Sequence, residues 1–141
     1  MLVLDTDHIS VLEQADSVAR ARLIHRLDQA GATAVVTTIV SYEEQSRGWL
    51  AYVARARSLP EQIDAYQRLA RHLETYHRLV VLAYDHSAAE IFRRLRSGRI
   101  PIGTLDLRIA AITLANEATL LSRNRKDFEK IPDLKVENWL D

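Results

Sequence analysis

The sequence predicts an α/β fold: a central parallel sheet of four to five strands flanked by helices. Short apolar or β-branched runs alternate along the chain with longer segments of helical periodicity. That order places helices on both faces of a parallel sheet. The first run, Leu2-Val3-Leu4, is apolar without alternation, as strands covered on both faces are. The length of 141 residues suits one domain spanning 1–141, with a proper core.

After that opening strand, Asp7 is placed to cap a short helix from Ile9 to Glu13, and Asp16 a second helix reaching about Ala30. Val18, Ala19, Leu23, Ile24 and Leu27 form the second helix's apolar stripe, and Gly31 closes it. Ala34 to Thr38 reads as a β-branched strand, and Ser41 opens a helix through Glu44, Gly48 and Tyr52. A long helix follows from Leu59-Pro60 to His77, with Ile63, Tyr66, Leu69, Ala70 and Leu73 at helical spacing. Leu79 to Leu82 is the third strand, and Asp85 or Ser87 caps the helix through Leu95. A loop with Pro101 leads to a nearly all-apolar helix from Leu105 to Ala115, then the strand Thr119 to Ser122. A turn from Asn124 to Ile131 and an edge strand around Leu134 to Val136 finish the pattern.

Composition narrows the chemistry. The chain has no Cys, which excludes disulfides, thiolate zinc sites and Cys nucleophiles. No Gly-rich phosphate loop follows a strand, so nucleotide cofactors gain no support. Net charge is zero, so no bulk pull toward nucleic acid arises, although all but three of the 19 basic residues are Arg, the better phosphate fork. No apolar run approaches membrane-spanning length, and the expected setting is soluble and cytoplasmic. The five His residues are scattered and read as surface or capping residues. The Arg93-Arg94-x-Arg96-x-x-Arg99 cluster reads chiefly as a solvated helix face, with phosphate binding the lesser alternative.

Acids gather where such a sheet puts its ligands, in the crevice beyond the carboxyl ends of the strands. Asp5 follows the first strand directly. Glu43 stands four residues before Arg47, the order of a solvent-face ion pair, whereas Glu44 shares its stripe with Gly48, where a missing side chain permits close approach. Asp106 lies at the mouth of the apolar helix, where either a cap or a site ligand is served by a carboxylate. The fourth strand delivers Ser122-Arg123-Asn124-Arg125-Lys126-Asp127. Oxygen donors from several strand ends suit a hard divalent cation, whose charge offsets the repulsion among crowded acids.

These pieces, in this order, resemble the PIN-domain ribonucleases, specifically the VapC-type toxins of type II toxin–antitoxin pairs. The resemblance is carried by Leu4-Asp5-Thr6-Asp7, by Thr38 to Gly48, by Ile102 to Ala111 and by Ser122 to Phe128, and it extends to Val136-Glu137-Asn138-Trp139. It implies a PIN-like, Rossmann-like domain that hydrolyses RNA phosphodiesters with metal-activated water. It assigns Asp5, Glu44 and Asp106 to Mg²⁺ or Mn²⁺. Many relatives carry Asp where this chain has Asn124, so Asn124 is expected to orient water, with Asp127 behind it completing the metal set. A homodimer and a small antitoxin are the implied partners, with no membrane. The alternatives are a PIN module that binds RNA or a partner without cleavage, and an RNA-processing nuclease without antitoxin.

Overall fold

A computed structural model describes residues 1–31 and 34–141. Its described residues form five strands, β1 (Leu2–Leu4), β2 (Val35–Thr38), β3 (Val80–Leu82), β4 (Thr119–Leu121) and β5 (Lys135–Glu137). All neighbours pair in parallel, in the order β3-β2-β1-β4-β5. Interleaved are α1 (Thr6–Leu12), α2 (Val18–Gln29), α3 (Ile39–Arg55), α4 (Leu59–Arg78), α5 (His86–Ser97), α6 (Thr104–Ala115) and α7 (Arg125–Phe128). The chain begins in the middle of the sheet, builds outward through β2 and β3, then returns to the other side of β1 for β4 and β5.

The pleat of β1 explains the two cores. Val3 joins one buried cluster with Leu120, Ile109, Ile112 and Phe128, while Leu2 and Leu4 join another with Ile9, Tyr76 and Leu121. A strand that alternates its side chains between two apolar layers must be apolar throughout. Helix α6 is buried along Leu107, Ile109, Ala110, Ala111 and Ile112, and it packs against α5. The α5 start is set by Asp85, whose carboxylate accepts the Ala88 amide proton at 2.9 Å.

Several local expectations are corrected. Ser17, not Asp16, caps α2, accepting from the Arg20 amide at 3.0 Å, while Asp16 stands in the left-handed region at φ 40°. Within α2 the expected stripe holds at buried Leu23, but Val18 at the first turn is exposed. Thr38 rather than Ser41 caps α3. Gly48 is exposed and a Cβ there would meet nothing within 4 Å, so it marks no close approach. In α4 the expected apolar stripe is largely outward: Ile63, Tyr66 and Leu73 are all at least 60% exposed. The buried face is instead Ala65, His72 and Tyr76. His72 stacks on Tyr42 and pairs through Nε2 with Ser46 Oγ at 2.8 Å, while its Nδ1 faces Glu13 Oε1 at 3.7 Å, both atoms buried without a hydrogen bond.

Candidate active site

Parallel pairing sets Leu4 opposite Leu121, so Asp5 and Ser122 leave their strands side by side. The strand order reverses between β1 and β4, the position at which open α/β sheets hold ligands. Ser122 Oγ donates to Asp5 Oδ2 at 2.7 Å, and the Thr6 amide donates to Asp5 Oδ1 at 2.8 Å. The Asn124 amide donates in turn to Ser122 Oγ at 3.0 Å, tying the loop after β4 to the end of β1. Burial pushes the Asp5 carboxyl up from 3.8 to about 7; the hydrogen bond from Ser122 resists this, and the charges of Asp7 and Asp106 add to it.

Asp7 is not the helix cap; Asp5 fills that position and Asp7 lies in the first turn. Its Oδ2 accepts the Arg123 amide proton at 2.9 Å, and its Oδ1 lies 2.5 Å from His8 Nδ1. Burial works to raise the Asp7 pKa, but the bonds from His8 and Arg123 outweigh it and hold the group below its usual range. His8 is fully buried, contrary to the expected surface role, and its Nε2 accepts the Trp139 amide proton at 3.3 Å. An accepting Nε2 requires the proton on Nδ1, which therefore donates to Asp7. His72 is the second buried histidine.

Asp106 is the third residue of α6, whose cap is Gly103 without a side-chain bond, so the capping alternative does not hold. Its partner is Asn124, whose Nδ2 donates to Asp106 Oδ2 at 3.3 Å and to Asp127 Oδ2 at 3.2 Å. Burial raises the Asp106 pKa, and the charges of Glu44, Asp127 and Asp7 raise it further. Asp127 sits at the exposed rim and is held low by Lys130 Nζ, 3.1 Å away, and by Asn124. Glu44 is half-buried on α3, one residue beyond Glu43, which pairs with Arg47 at 2.6 Å as its spacing predicts. The structure therefore gathers Asp5, Asp7, Asp106 and Asn124, with Glu44 close enough to act on Asp106 and Asp127 joined through the Asn124 amide.

Among the described residues no three carboxylate or histidine side chains converge on one point at ion-ligand distance. The donor chemistry still fits a hard cation: Asp5 and Asp106 are both raised by burial and by neighbouring acids, and no Lys or Arg pairs with either among the described residues. A divalent ion bound there would neutralise that repulsion.

No family model matches the chain. It is similar to the curated Ribonuclease VapC2 of Rickettsia felis, 42% identical over 50 residues, or 36% of this chain. That match spans only 37% of the relative's length. Solved structures align over nearly the whole chain. VapBC-1 from nontypeable Haemophilus influenzae has a TM-score of 0.75 at 23% identity, covering 99% of this chain and 98% of that one. VapBC2 from Rickettsia felis, bound to a DNA fragment from its promoter, has a TM-score of 0.74 at 22% identity, covering 98% of each chain. This is the PIN-domain fold of the VapC proteins.

In this PIN fold two residues at the crevice had escaped the reading of the sequence. Ser122 ends a strand with no chemical signal of its own, yet it holds Asp5. Asp7 had been placed as a cap, since any Asp at a helix start carries that signal. The signal for Ser122 is the register itself: once β1 and β4 are neighbours, the residue after Leu121 must adjoin the residue after Leu4.

Proposed function

We propose that this chain is a Mg²⁺- or Mn²⁺-dependent endoribonuclease, the toxin of a toxin–antitoxin pair, acting in the cytoplasm as a homodimer neutralised by a small antitoxin. The observation that carries the reading is the cluster of Asp5, Asp7, Glu44 and Asp106 at the strand-order reversal, with Asp5 and Asp106 raised together. The curated relative bears the name ribonuclease, and the solved neighbours include a toxin–antitoxin complex from Klebsiella pneumoniae and a member of the VapBC family of toxin–antitoxin systems, which supports the assignment of activity and partner. The exposed Leu50, Tyr66 and Leu73 line one apolar groove between α3 and α4, which supports a protein partner, because such patches commonly mark interaction sites.

Asp5, Glu44 and Asp106 would hold the ion, with Asp127 closing the set from the rim. When bound, a divalent cation stabilises the charge that develops on a phosphodiester under attack by water. Ser122 fixes the Asp5 rotamer through one oxygen, and His8 and the Arg123 amide do the same for Asp7. Asn124, whose Nδ2 donates to both Asp106 and Asp127, links the two acids and would orient water beside them.

Purified protein with Mg²⁺ or Mn²⁺ is expected to cut RNA, and excess EDTA to stop it. Cleavage that persists undiminished in EDTA would refute metal dependence, and no cleavage with either ion would refute the nuclease. A second reading, binding without cleavage, is favoured by one feature: the Asn124 amide already bridges Asp106 and Asp127. RNA retention without any cut product marks that outcome.

Two adjacent glutamates offer a sharper check. Glu44→Gln is expected to lose cleavage by at least about 100-fold, by analogy with groups around bound ions. It should also lower the Asp106 pKa, read by carboxyl NMR, because the Glu44 charge helps raise it. Glu43→Gln removes only a surface pair worth at most about 1 kcal/mol and should be nearly silent.

A further inference from the structure

The decameric stretch 91–100 contains Arg93, Arg94, Arg96 and Arg99 and no acid. In the structure it forms the second half of α5 and the turn beyond, beside α6. A shallow open groove of about 500 Å³ lies there, lined by Tyr84, Ala89, Phe92, Arg93, Arg96 and Ser97. Two guanidinium groups converge on one ring in its wall. Arg96 lies 6.0 Å and Arg108 5.5 Å from the Phe92 centroid, approaching from α5 and α6 respectively. Ring faces attract cations, but two cations on one ring also repel each other, and an anion between them relieves that cost.

Most cations nearer the acids are already committed. Arg123 faces Asp141 at 3.5 Å, Arg125 pairs with Glu129 at 2.6 Å, and Lys130 bonds Asp127. In the groove Glu90 neutralises Arg93. By contrast Arg94, Arg96, Arg99 and Arg108 have no carboxylate within 4 Å among the described residues. Their place also matters. Arg108 follows Asp106 by two residues on α6, turned toward Phe92 of α5 where Asp106 turns toward Asn124, so a strand crossing the start of α6 would meet both. A cluster of acids repels the phosphates of its own substrate, so a strand must be held by cations next to it.

We propose that the groove at Phe92 and Arg96, together with Arg108 beside the same ring on α6, binds the phosphate backbone of the RNA and holds the strand against the acid cluster. The proposal rests on the nuclease reading and adds to it the surface that carries the substrate. Guanidinium forks would engage phosphate oxygens.

The test uses the full chain with Asp106→Asn, which prevents cutting, and a fluorescein-labelled single-stranded RNA read by anisotropy across a salt series. Adding Arg96→Gln and Arg108→Gln is expected to weaken binding at least tenfold. It should also flatten the slope of log affinity against log salt by about 1.4, for two phosphate contacts. Arg96→Lys with Arg108→Lys should restore most of the slope. Arg22→Gln with Arg55→Gln, on exposed sites of α2 and α3, changes net charge equally and should leave affinity within about twofold. Equal losses from both Gln pairs, or none from the groove pair, overturn the proposal. In the cleaving protein the groove pair should raise KM while leaving kcat nearly unchanged. If the parent cuts RNA but its KM is indifferent to the groove, the nuclease stands and the groove falls. If Asp106→Asn protein binds no RNA and the parent cuts none, both fall.

Discussion

Asp106→Asn is expected to abolish RNA cleavage while leaving the metal-free protein at least as heat-stable near pH 7. Partners one shell away from bound ions already cost roughly 10–100-fold when removed, so a direct ligand should exceed that range. The stability arm follows from the surroundings. Burial and the charges of Glu44, Asp127 and Asp7 oppose ionisation of Asp106, and the amide variant removes one member of that set. Its oxygen can still accept from Asn124 Nδ2. What is lost is a favourable charge in the first turn of α6, worth about 0.3–1 kcal/mol. Mg²⁺ should raise the parent's melting temperature more than the variant's, because an ion that binds only the folded state shifts the equilibrium toward it. A variant that keeps full cleavage removes Asp106 from the site; one that melts clearly lower without metal makes it a structural acid.

The second large effect is a fall in metal-free stability as pH rises from about 5 to 8. Burial raises Asp5 from 3.8 to about 7, and Glu13 from 4.5 to about 7, with Arg71 resisting the latter. A folded pKa above the unfolded one stabilises the fold below the unfolded value, and that contribution disappears as pH climbs through the folded value. Asp106 shifts in the same direction. Asp7 and Asp127 shift downward, so their contributions are lost only in acid, below this window. His72 opposes the trend: burial lowers its pKa from 6.5, so it favours folding as pH rises through that value. One such group offsets part of three acids. At about 1.4 kcal/mol per pKa unit, the part of the Asp5 shift between pH 5 and about 7 corresponds to roughly 3 kcal/mol, or about 10 °C in melting temperature. Thermal melts in EDTA at several pH values measure it. A melting temperature that rises steadily to pH 8 contradicts the raised acids, and Mg²⁺ should flatten the slope by holding them ionised.

The sheet was legible because its signal is local: Leu2-Val3-Leu4 could be nothing but a doubly covered strand. Asp5 and Asp106 were legible for a related reason, each being a charge set against an apolar run. The errors share a different cause. The α4 stripe of Ile63, Tyr66 and Leu73 is a true apolar face, but periodicity does not say whether the chain's own core covers it. The inward face is built from His72 and Tyr76, whose burial depends on Ser46, Tyr42 and Gln45 in α3. Asp7 and His8 likewise depend on Arg123 and Trp139, more than a hundred residues onward, and nothing adjacent in the sequence announces those partners.

The bond from Ser122 to Asp5 spans 117 positions of the chain. During synthesis the first acid leaves the ribosome far ahead of the hydroxyl that fixes it. At 5–20 residues per second the delay is roughly 6–23 s. Over that interval β1 lacks its β4 neighbour, and Asp7 lacks the Arg123 amide that anchors it. A nascent chain therefore emerges without an assembled cluster, and the proposed nuclease could not act on nearby RNA until Ser122 and Arg123 have joined the first acids.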